Sequence, residues 1–172
     1  ELTIDMAAAF AEAEDNAGFN GDGGSTYGGI VGAKSVLAAG SIADAATGNT
    51  SFDTLDMSDF ERAIAKLKMY AGIRPAWFIH SSGYAASMSR LLDASGGNTN
   101  VTLSNGVPSL FFKGYPVVFS QVLNSTLTTQ TSQIVAYFGD LRMAAMFGDA
   151  KGVEITSDSS LYFKQNALAV RG

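Results

Sequence analysis

Several residue types on which chemical sites depend are scarce or absent in this sequence of 172 residues. It has no cysteine, which excludes disulfide bonds, thiol nucleophiles and cysteine metal sites. Its single histidine, His80, cannot build an ordinary zinc site without several further ligands. No apolar run approaches the length of a membrane-spanning helix. The sequence therefore predicts no metal, no cofactor and no membrane partner.

Charge is also scarce. Charged residues make up 16% of the chain, well below the usual share of about a quarter. Lys and Arg total 11 against 16 Asp and Glu, for a net charge of −5. At this level of composition no strong basic cluster stands out, so we expect no direct nucleic-acid binding. A small, neutral surface instead favours repeated protein contacts, because few charges must be desolvated at each interface.

What the sequence does have is glycine, above all in "FNGDGGSTYGGIVG", residues 19–32. A phosphate-binding Walker loop ends in Gly-Lys-Ser/Thr, and a dinucleotide-binding loop follows a strand and opens a helix. This stretch has no lysine before Lys34 and follows a helical pattern. We therefore interpret it as a tight turn, for which glycine is the usual residue.

Hydrophobic periodicity predicts three helices. The first covers residues 1–15, with Leu2, Met6, Phe10 and Ala13 on one face. The second covers residues 58–71, from a Ser58–Glu61 capping box to a stop at Gly72, with Phe60, Ile64, Leu67 and Ala71 at helical spacing. The third starts at Ser81 or Ser82 and runs through Leu92, with Ala85, Met88 and Leu92 inward, which makes His80 a strand-end or helix-entry residue. Residues 33–56 read as an extended loop or short strands.

Strand patterns occupy most of the remainder. "PAWFI" indicates a buried strand, and "SLFFKGYPVVFSQVL" a strand interrupted at Gly114 and Pro116. Further strands are predicted in "SQIVAYFGD", "RMAAMFGDAKGVEITSD" and "LYFKQNALAVR". Helices on a mixed or antiparallel sheet make the fold class α+β. The expected aromatic core consists of Trp77, Phe78, Phe111, Phe112, Tyr115, Phe119, Tyr137, Phe138 and Phe147.

No pattern in the chain indicates catalysis. Asp140 and Asp149 each follow a Phe-Gly dipeptide, where an aspartate hydrogen-bonds its own backbone in a turn. Ser25, Ser81 and Ser82 lack the strand–turn–helix context of a nucleophile. We assign no catalytic residue and predict that the protein is not an enzyme.

Four stretches, in this order, resemble the major capsid proteins of tailed bacteriophages, the family with the Hong Kong 97 fold. They are "AFAEAEDNAGFNGDGGSTYGGIVG", "MSDFERAIAKLKMYAGIRPAWFIHSSGYAASMSRLLDASG", "LFFKGYPVVFSQVL" and "IVAYFGDLRMAAMFGDAKGVEITSDSSLYFKQNALAV". The resemblance covers nearly the whole chain. It implies a peripheral domain formed by residues 1–72, with the spine helix at 58–71, and by residues 149–172, with an axial domain at 73–148 between them.

The resemblance also implies a function. A structural subunit of an icosahedral bacteriophage or prophage capsid would self-assemble into pentameric and hexameric capsomers around the packaged genome, inside the host bacterial cytoplasm. The family's N-terminal arm, extended loop and last strand would lie outside these residues, so we expect this chain alone to be monomeric or weakly oligomeric. Two other classes stay open: the shell protein of an encapsulin nanocompartment, which loads enzyme cargo, and an extracellular glycan-binding module.

Two regions are candidates for subunit contact. The polar insertion at residues 124–133 is a long uncharged tip that could meet its own copies without repulsion. Its candidate contact residues are Asn124, Ser125, Thr126, Thr128, Thr129 and Gln130. Some members of the resembled family join subunits through a lysine–asparagine isopeptide bond, and Asn166 stands at the position of the acceptor. The alternative for Asn166 is a local hydrogen bond at a strand edge.

Overall fold

The computed structural model describes residues 2–95, 101–104, 107–144, 156–158, 163–165 and 169–171. Its α-helices are α1 (Leu2–Asn20), α2 (Ala33–Val36), α3 (Met57–Lys66), α4 (Ser81–Tyr84), α5 (Arg90–Ala94) and α6 (Leu141–Ala144). A π-helical segment, Ala85–Ser89, joins α4 to α5. The strands are β1 (Ala76–Ile79), β2 (Val101–Ser104), β3 (Val107–Phe112), β4 (Tyr115–Phe119), β5 (Ala136–Gly139), β6 (Thr156–Asp158) and β7 (Ala169–Arg171). The α+β prediction is confirmed.

A mixed five-stranded sheet in the order β2-β3-β4-β1-β5 organises the fold. Strand β1 runs parallel to β4 and antiparallel to β5, while β2, β3 and β4 pair antiparallel. Strands β6 and β7 form a separate antiparallel pair. The interruption predicted at Gly114 is the turn of the β3–β4 hairpin. Lys113 and Gly114 both have positive φ, 53° and 81°, which is the conformation of a type I′ turn and suits the twist of the strands.

The core lies on one face of this sheet. It contains Phe52, Leu55, Phe60, Trp77, Ile79, Tyr84, Met88, Leu91 and Phe112. Trp77 of β1 packs edge-to-face on Phe60 of α3 and on Phe112 of β3, with ring centroids 5.6 and 5.8 Å apart. Phe138 of the neighbouring strand lies 4.4 Å from the same ring. The predicted aromatic core is confirmed in part, since Trp77, Phe112, Tyr115 and Phe138 belong to it. Phe78 and Tyr137 instead pack against Phe19, Phe111 is half-buried outside the cluster, Phe119 is 42% exposed, and Phe147 lies outside the described residues.

The three predicted helices are present, with changed ends. Helix α1 continues to Asn20, five residues beyond the prediction, where the Asn20 amide donates to the Val122 carbonyl at 2.9 Å. Helix α3 ends at Lys66 instead of residue 71. The residues after it are mostly exposed, so packing does not support further helical turns, although the sequence period continues.

Both predicted helix caps were wrong by one or two residues. The capping box of α3 pairs Asp56 with Asp59, whose carboxylate accepts from Asp56 N at 3.0 Å, instead of Ser58 with Glu61. The N-cap of α4 is His80, whose Nδ1 accepts from Ser82 N at 3.1 Å. The prediction of His80 at a helix entry is thus confirmed, and its ring has a structural role.

Residues 33–56, predicted as an extended loop or short strands, form an irregular segment with helix α2 and two short 3₁₀ turns, Ala39–Ser41 and Phe52–Thr54. They hold no strand, so the loop interpretation is the better one. Phe52 and Leu55 nevertheless enter the core, which a small, polar sequence context did not indicate. Residues 141–144, predicted as the start of a strand, form helix α6 instead. Asp149 and Asn166 lie outside the described residues.

Candidate subunit-contact surfaces

The glycine-rich stretch at residues 19–32 folds as a closed turn. Asp22 and Val31 form an antiparallel bridge, Gly23 N donates to the Ile30 carbonyl at 3.0 Å, and Gly32 N donates to the Gly21 carbonyl at 2.9 Å. A Cβ on Gly32 would lie 2.6 Å from Gly21 N, so glycine is needed where the two strands of the turn cross. Because the backbone amides of this stretch donate to the protein itself, the turn serves the fold and does not form a phosphate cradle.

The polar insertion at residues 124–133 is held to the body of the protein by its backbone. Phe52 N donates to the Leu127 carbonyl at 3.3 Å, Gln130 N to the Thr50 carbonyl at 2.5 Å, and the Ser82 hydroxyl to the Ser125 carbonyl at 3.3 Å. Thr129 and Ser132 have positive φ, an uncommon conformation for side chains of this kind. The insertion is therefore an ordered loop.

Gln130 organises this loop from inside. Its side chain is buried, and its amide donates to the carbonyls of Thr126 and Thr128 while its carbonyl accepts from the Asn124 amide. Asn124 is half-buried and accepts from Thr126 N at 3.0 Å. Among the six candidate contact residues, Asn124 and Gln130 thus shape the loop. Ser125, Thr126, Thr128 and Thr129 are exposed and available to a neighbour.

A cavity of about 260 Å³ opens between this loop and the N-terminal part of the chain. It is lined by Asn20, Lys34, Val122, Leu123, Asn124, Ser125, Gln133, Ile134 and Tyr137. Burial raises the pKa of the Tyr137 phenol above its ordinary value. The lining is polar and belongs partly to the candidate contact loop.

Helix α1 is the most exposed long element of the described chain. Among its residues 4–20, for which burial is described, only Ala17 is buried, although Ile4 and Phe10 are large and apolar. Near its C-terminal end, Phe19 packs against Phe78 and Tyr137 on the sheet, with ring centroids 6.3 and 5.4 Å apart. On the rest of the predicted apolar face, Met6 is half-buried, Phe10 is 38% exposed and Ala13 is exposed.

A second exposed surface comprises the last turn of helix α3 and the residues that follow it. Residues 62–74, termed here the basic segment, contain four of the 11 basic residues and no carboxylate. They are Arg62, Lys66, Lys68 and Arg74. Met69 and Tyr70 in the same segment are 46% and 69% exposed. The overall composition of the chain does not reveal this cluster, but a count of basic and acidic residues along the sequence would have identified it.

Asp140 has the structural role expected of a turn aspartate. Its carboxylate accepts from Arg142 N at 3.1 Å and from Arg74 N at 2.9 Å, and pairs with the Arg142 guanidinium at 2.7 Å. The Arg142 side chain first, and then the Arg74 amide, hold the pKa of Asp140 well below its ordinary value. These bonds tie helix α6 to the entry of β1.

Asp59 is also engaged in structure. Burial opposes its ionisation, but hydrogen bonds from Asp56 N, Ala46 N and Asn49, with Arg62 nearby, together lower the pKa of its carboxyl. Across the part of the chain that the structure describes, no group of three or more His, Asp or Glu side chains is placed to hold a metal ion. Within the same residues, no helix is long and apolar enough to cross a membrane.

Comparison with known proteins agrees with the sequence patterns. The model of the phage capsid family matches residues 1–172, the full length of the sequence. Searches of curated proteins and of solved structures found no match. A family match over the whole chain, on an α+β fold with a mixed sheet and a large uncovered helix, shows what the chain is: it belongs to the phage capsid family, whose members are structural proteins of the bacteriophage virion.

Proposed function

We propose that this chain is a subunit of an icosahedral bacteriophage or prophage capsid that assembles into pentameric and hexameric capsomers around the packaged genome. The observation that supports this most is the exposure of helix α1. Ile4 and Phe10 of this helix are 73% and 38% exposed and Ala17 alone is buried among residues 4–20, which suits a subunit whose neighbours cover the helix. Self-association follows from the family; the capsomer arrangement is the proposal.

We further propose the Hong Kong 97 fold for the subunit, assembled in the cytoplasm of a host bacterium. Residues 73–148 would form the axial domain, and residues 1–72 with 149–172 the peripheral domain. The mixed sheet, including β1, β3, β4 and β5, falls within the axial range. Phe52, Leu55 and Phe60 of the core on that sheet come from residues 1–72, so α3 would pack directly against the axial sheet. The loop at residues 124–133 also lies there, and its exposed residues Ser125, Thr126, Thr128 and Thr129 would face the neighbouring copies.

Electron microscopy of the full-length gene product tests this proposal. We expect closed icosahedral particles with capsomers of five and six subunits. Particles that package DNA support a viral capsid, whereas particles that enclose an enzyme cargo indicate an encapsulin. A full-length product that stays monomeric and binds glycans would overturn the proposal.

Light scattering after size-exclusion chromatography tests the 172-residue chain itself. We expect a monomer at low concentration and a weak ring at high concentration. Its net charge of −5 adds mild repulsion between copies at low salt. A mass of five or six subunits that does not change with concentration would show that these residues suffice for a stable capsomer.

A further inference from the structure

We propose that helix α1 of one copy docks on the basic segment, residues 62–74, of a second copy. This inference rests on the proposed function, because it names the surfaces by which one subunit holds the next. Neither surface was among the contact candidates predicted from the sequence. Both surfaces expose apolar side chains, and their charges are of opposite sign.

The charge of the chain is divided along its length. Residues 1–33 contain six carboxylates and no Lys or Arg, whereas all 11 basic residues lie from Lys34 onward. Four of the six carboxylates belong to helix α1: Asp5, Glu12, Glu14 and Asp15. All four are exposed, and none has an ion pair within the described residues. Helix α1 is therefore acidic, and its carboxylates have no ion-pair partner among the described residues.

The basic segment has the complementary property. Lys66, Lys68 and Arg74 are exposed, and their side chains have no ion pair with any residue that the structure describes. Arg62 is partly engaged, since its guanidinium lies 3.4 Å from Asp59 and donates to the Asp44 carbonyl. The unpaired cations of one surface thus match the unpaired anions of the other, which steers the two together and fixes their relative position.

Apolar contacts would add to the charge match. Helix α1 presents Met6, Phe10 and Ala13 at positions i, i+4 and i+7, which lie on one side of a helix. Glu14 is one turn beyond Phe10, so an acid borders this apolar face. On the other surface, Met69 and Tyr70 stand between the lysines and Arg74 and are largely exposed. Burying aromatic and methionine side chains inside a charged rim is the usual arrangement of a protein interface.

A second copy suits these surfaces better than nucleic acid does. Helix α1 of a second copy supplies both carboxylates for the lysines and apolar side chains for Met69 and Tyr70, whereas the same acidic helix would repel phosphates. Because the donor and acceptor surfaces are different parts of one chain, each copy can offer both at once. Such a head-to-tail contact propagates around a ring when the rotation closes, which is the geometry that a capsomer needs.

Reciprocal charge reversal on the 172-residue chain tests the inference. The first variant, E12K/E14K, reverses two acids of helix α1, and the second, K66E/K68E, reverses two lysines. Both Glu and Lys are good helix formers, so circular dichroism should be unchanged for the first variant. A control, D53K/D93K, makes the same change in net charge as E12K/E14K at two exposed positions elsewhere. Sedimentation across a wide concentration range at low salt measures self-association.

We expect each reversed variant to associate at least about tenfold more weakly than the wild type, because opposite charges become like charges. The combination of all four changes restores the native net charge and should recover association. E12K/E14K lowers the net negative charge, so general repulsion alone would make it associate more strongly. The control, which lowers it equally, should associate as well as the wild type or better.

Cross-linking locates the contact. A carbodiimide joins carboxylates directly to lysine amines, and a mixture of ¹⁴N- and ¹⁵N-labelled chains distinguishes links between copies from links within one. We expect mixed-isotope peptides that join Glu12 or Glu14 to Lys66 or Lys68. Links found only within single chains would overturn the inference.

The outcomes separate the inference from the function on which it rests. If the wild type associates but E12K/E14K and K66E/K68E associate equally well, the inference is wrong and capsid assembly uses other surfaces. If K66E/K68E alone is impaired and the fourfold variant does not recover, the basic segment binds something other than helix α1. If the wild type does not associate at its highest soluble concentration and forms no mixed-isotope link, the inference fails for this chain, and microscopy of the full-length product then decides the proposed function separately.

Discussion

Two regions of the molecule differ in how far they bury their apolar side chains. They are the N-terminal region, residues 2–50, and the body, residues 51–95, 101–104 and 107–144. Among residues 4–50, for which the structure describes burial, Ala17 is the only residue of the N-terminal region in the buried hydrophobic core. Its exposed large apolar residues are Ile4, Phe10, Ile30, Val31, Val36 and Ile42. The body buries a continuous cluster around Trp77, with Phe52, Ile79, Met88 and Phe112 essentially inaccessible.

This difference shows that apolar residues at helical spacing do not by themselves indicate whether the rest of the same chain covers them. Helix α3 separates its apolar and polar residues clearly, whereas the Ala-rich helix α1 does so only weakly. Helix α3 places Phe60 against Trp77 at 5.6 Å, and α1 leaves Phe10 38% exposed. The body is stable through its own packing. Under the proposed function, we expect the N-terminal region to gain stability from contacts with other copies of the chain.

The largest effect that tests this comparison is the loss of a large aromatic side chain from each region. Trp77→Ala should lower the free energy of unfolding by about 3–5 kcal/mol, because it leaves a cavity among Phe60, Phe112 and Phe138. Phe10→Ala should change it by less than about 0.5 kcal/mol in the isolated chain. Urea denaturation measures both. Similar losses for the two variants would mean that Phe10 is covered after all.

A matched glycine-to-alanine pair should give effects of opposite sign. At Gly83 an added Cβ would meet the Phe52 ring at 2.6 Å, so Gly83→Ala should cost about 1–3 kcal/mol through overpacking. At Gly18, in helix α1, nothing lies within 4 Å of the added Cβ, so Gly18→Ala should stabilise by about 0.5–1 kcal/mol through helix propensity. Thermal unfolding compares the two. A destabilising Gly18→Ala would contradict the open surroundings of α1.

A smaller effect concerns the pH dependence of the body. The pKa of Asp140 is depressed in the folded state by Arg142 and the Arg74 amide, so its contribution to stability is present above the ordinary carboxyl pKa of 3.8 and is lost as the pH falls below it. Asp140→Asn should therefore reduce stability at neutral pH and flatten its decline in acid. Asp5→Asn in helix α1, where the carboxylate has no ion pair among described residues, is the control. Parallel pH profiles for wild type and Asp140→Asn would show that the ion pair contributes little.

The smallest effect is expected in backbone protection. In dilute solution the amides of α1 between Ile4 and Phe10 should exchange with solvent much faster than those of β1, because little packs on the helix. At concentrations where the chain associates, the α1 amides should slow while those of β1 stay unchanged. Hydrogen exchange followed by mass spectrometry measures this. Slow exchange in α1 at all concentrations would remove the difference between the two regions.

Much of the body could be predicted because its signals are local. The apolar run at residues 75–79 identifies β1, and the predicted interruption at Gly114 is the turn between β3 and β4. The interruption predicted at Pro116 was wrong, because Pro116 lies within β4 opposite Phe111. Helix ends were less accurate, since the caps at Asp56 and His80 depend on which polar side chain reaches the backbone. The sequence did not predict that Phe52 and Leu55 are core residues, because apolar residues in an irregular segment follow no helical or strand periodicity.

The sequence by itself determined the class of fold, the family and the aromatic core, because apolar periodicity and turn chemistry act over a few residues and the motifs lie in order along the chain. The tertiary structure decided which strands are neighbours, with β1 between β4 and β5, and which apolar faces stay uncovered. It also decided that Gln130 shapes the candidate contact loop from inside and that the charges of α1 and residues 66–74 have no partner among the described residues. These properties depend on contacts between residues that are far apart in sequence. A local sequence pattern does not indicate whether such a contact forms within one chain or between two copies of it.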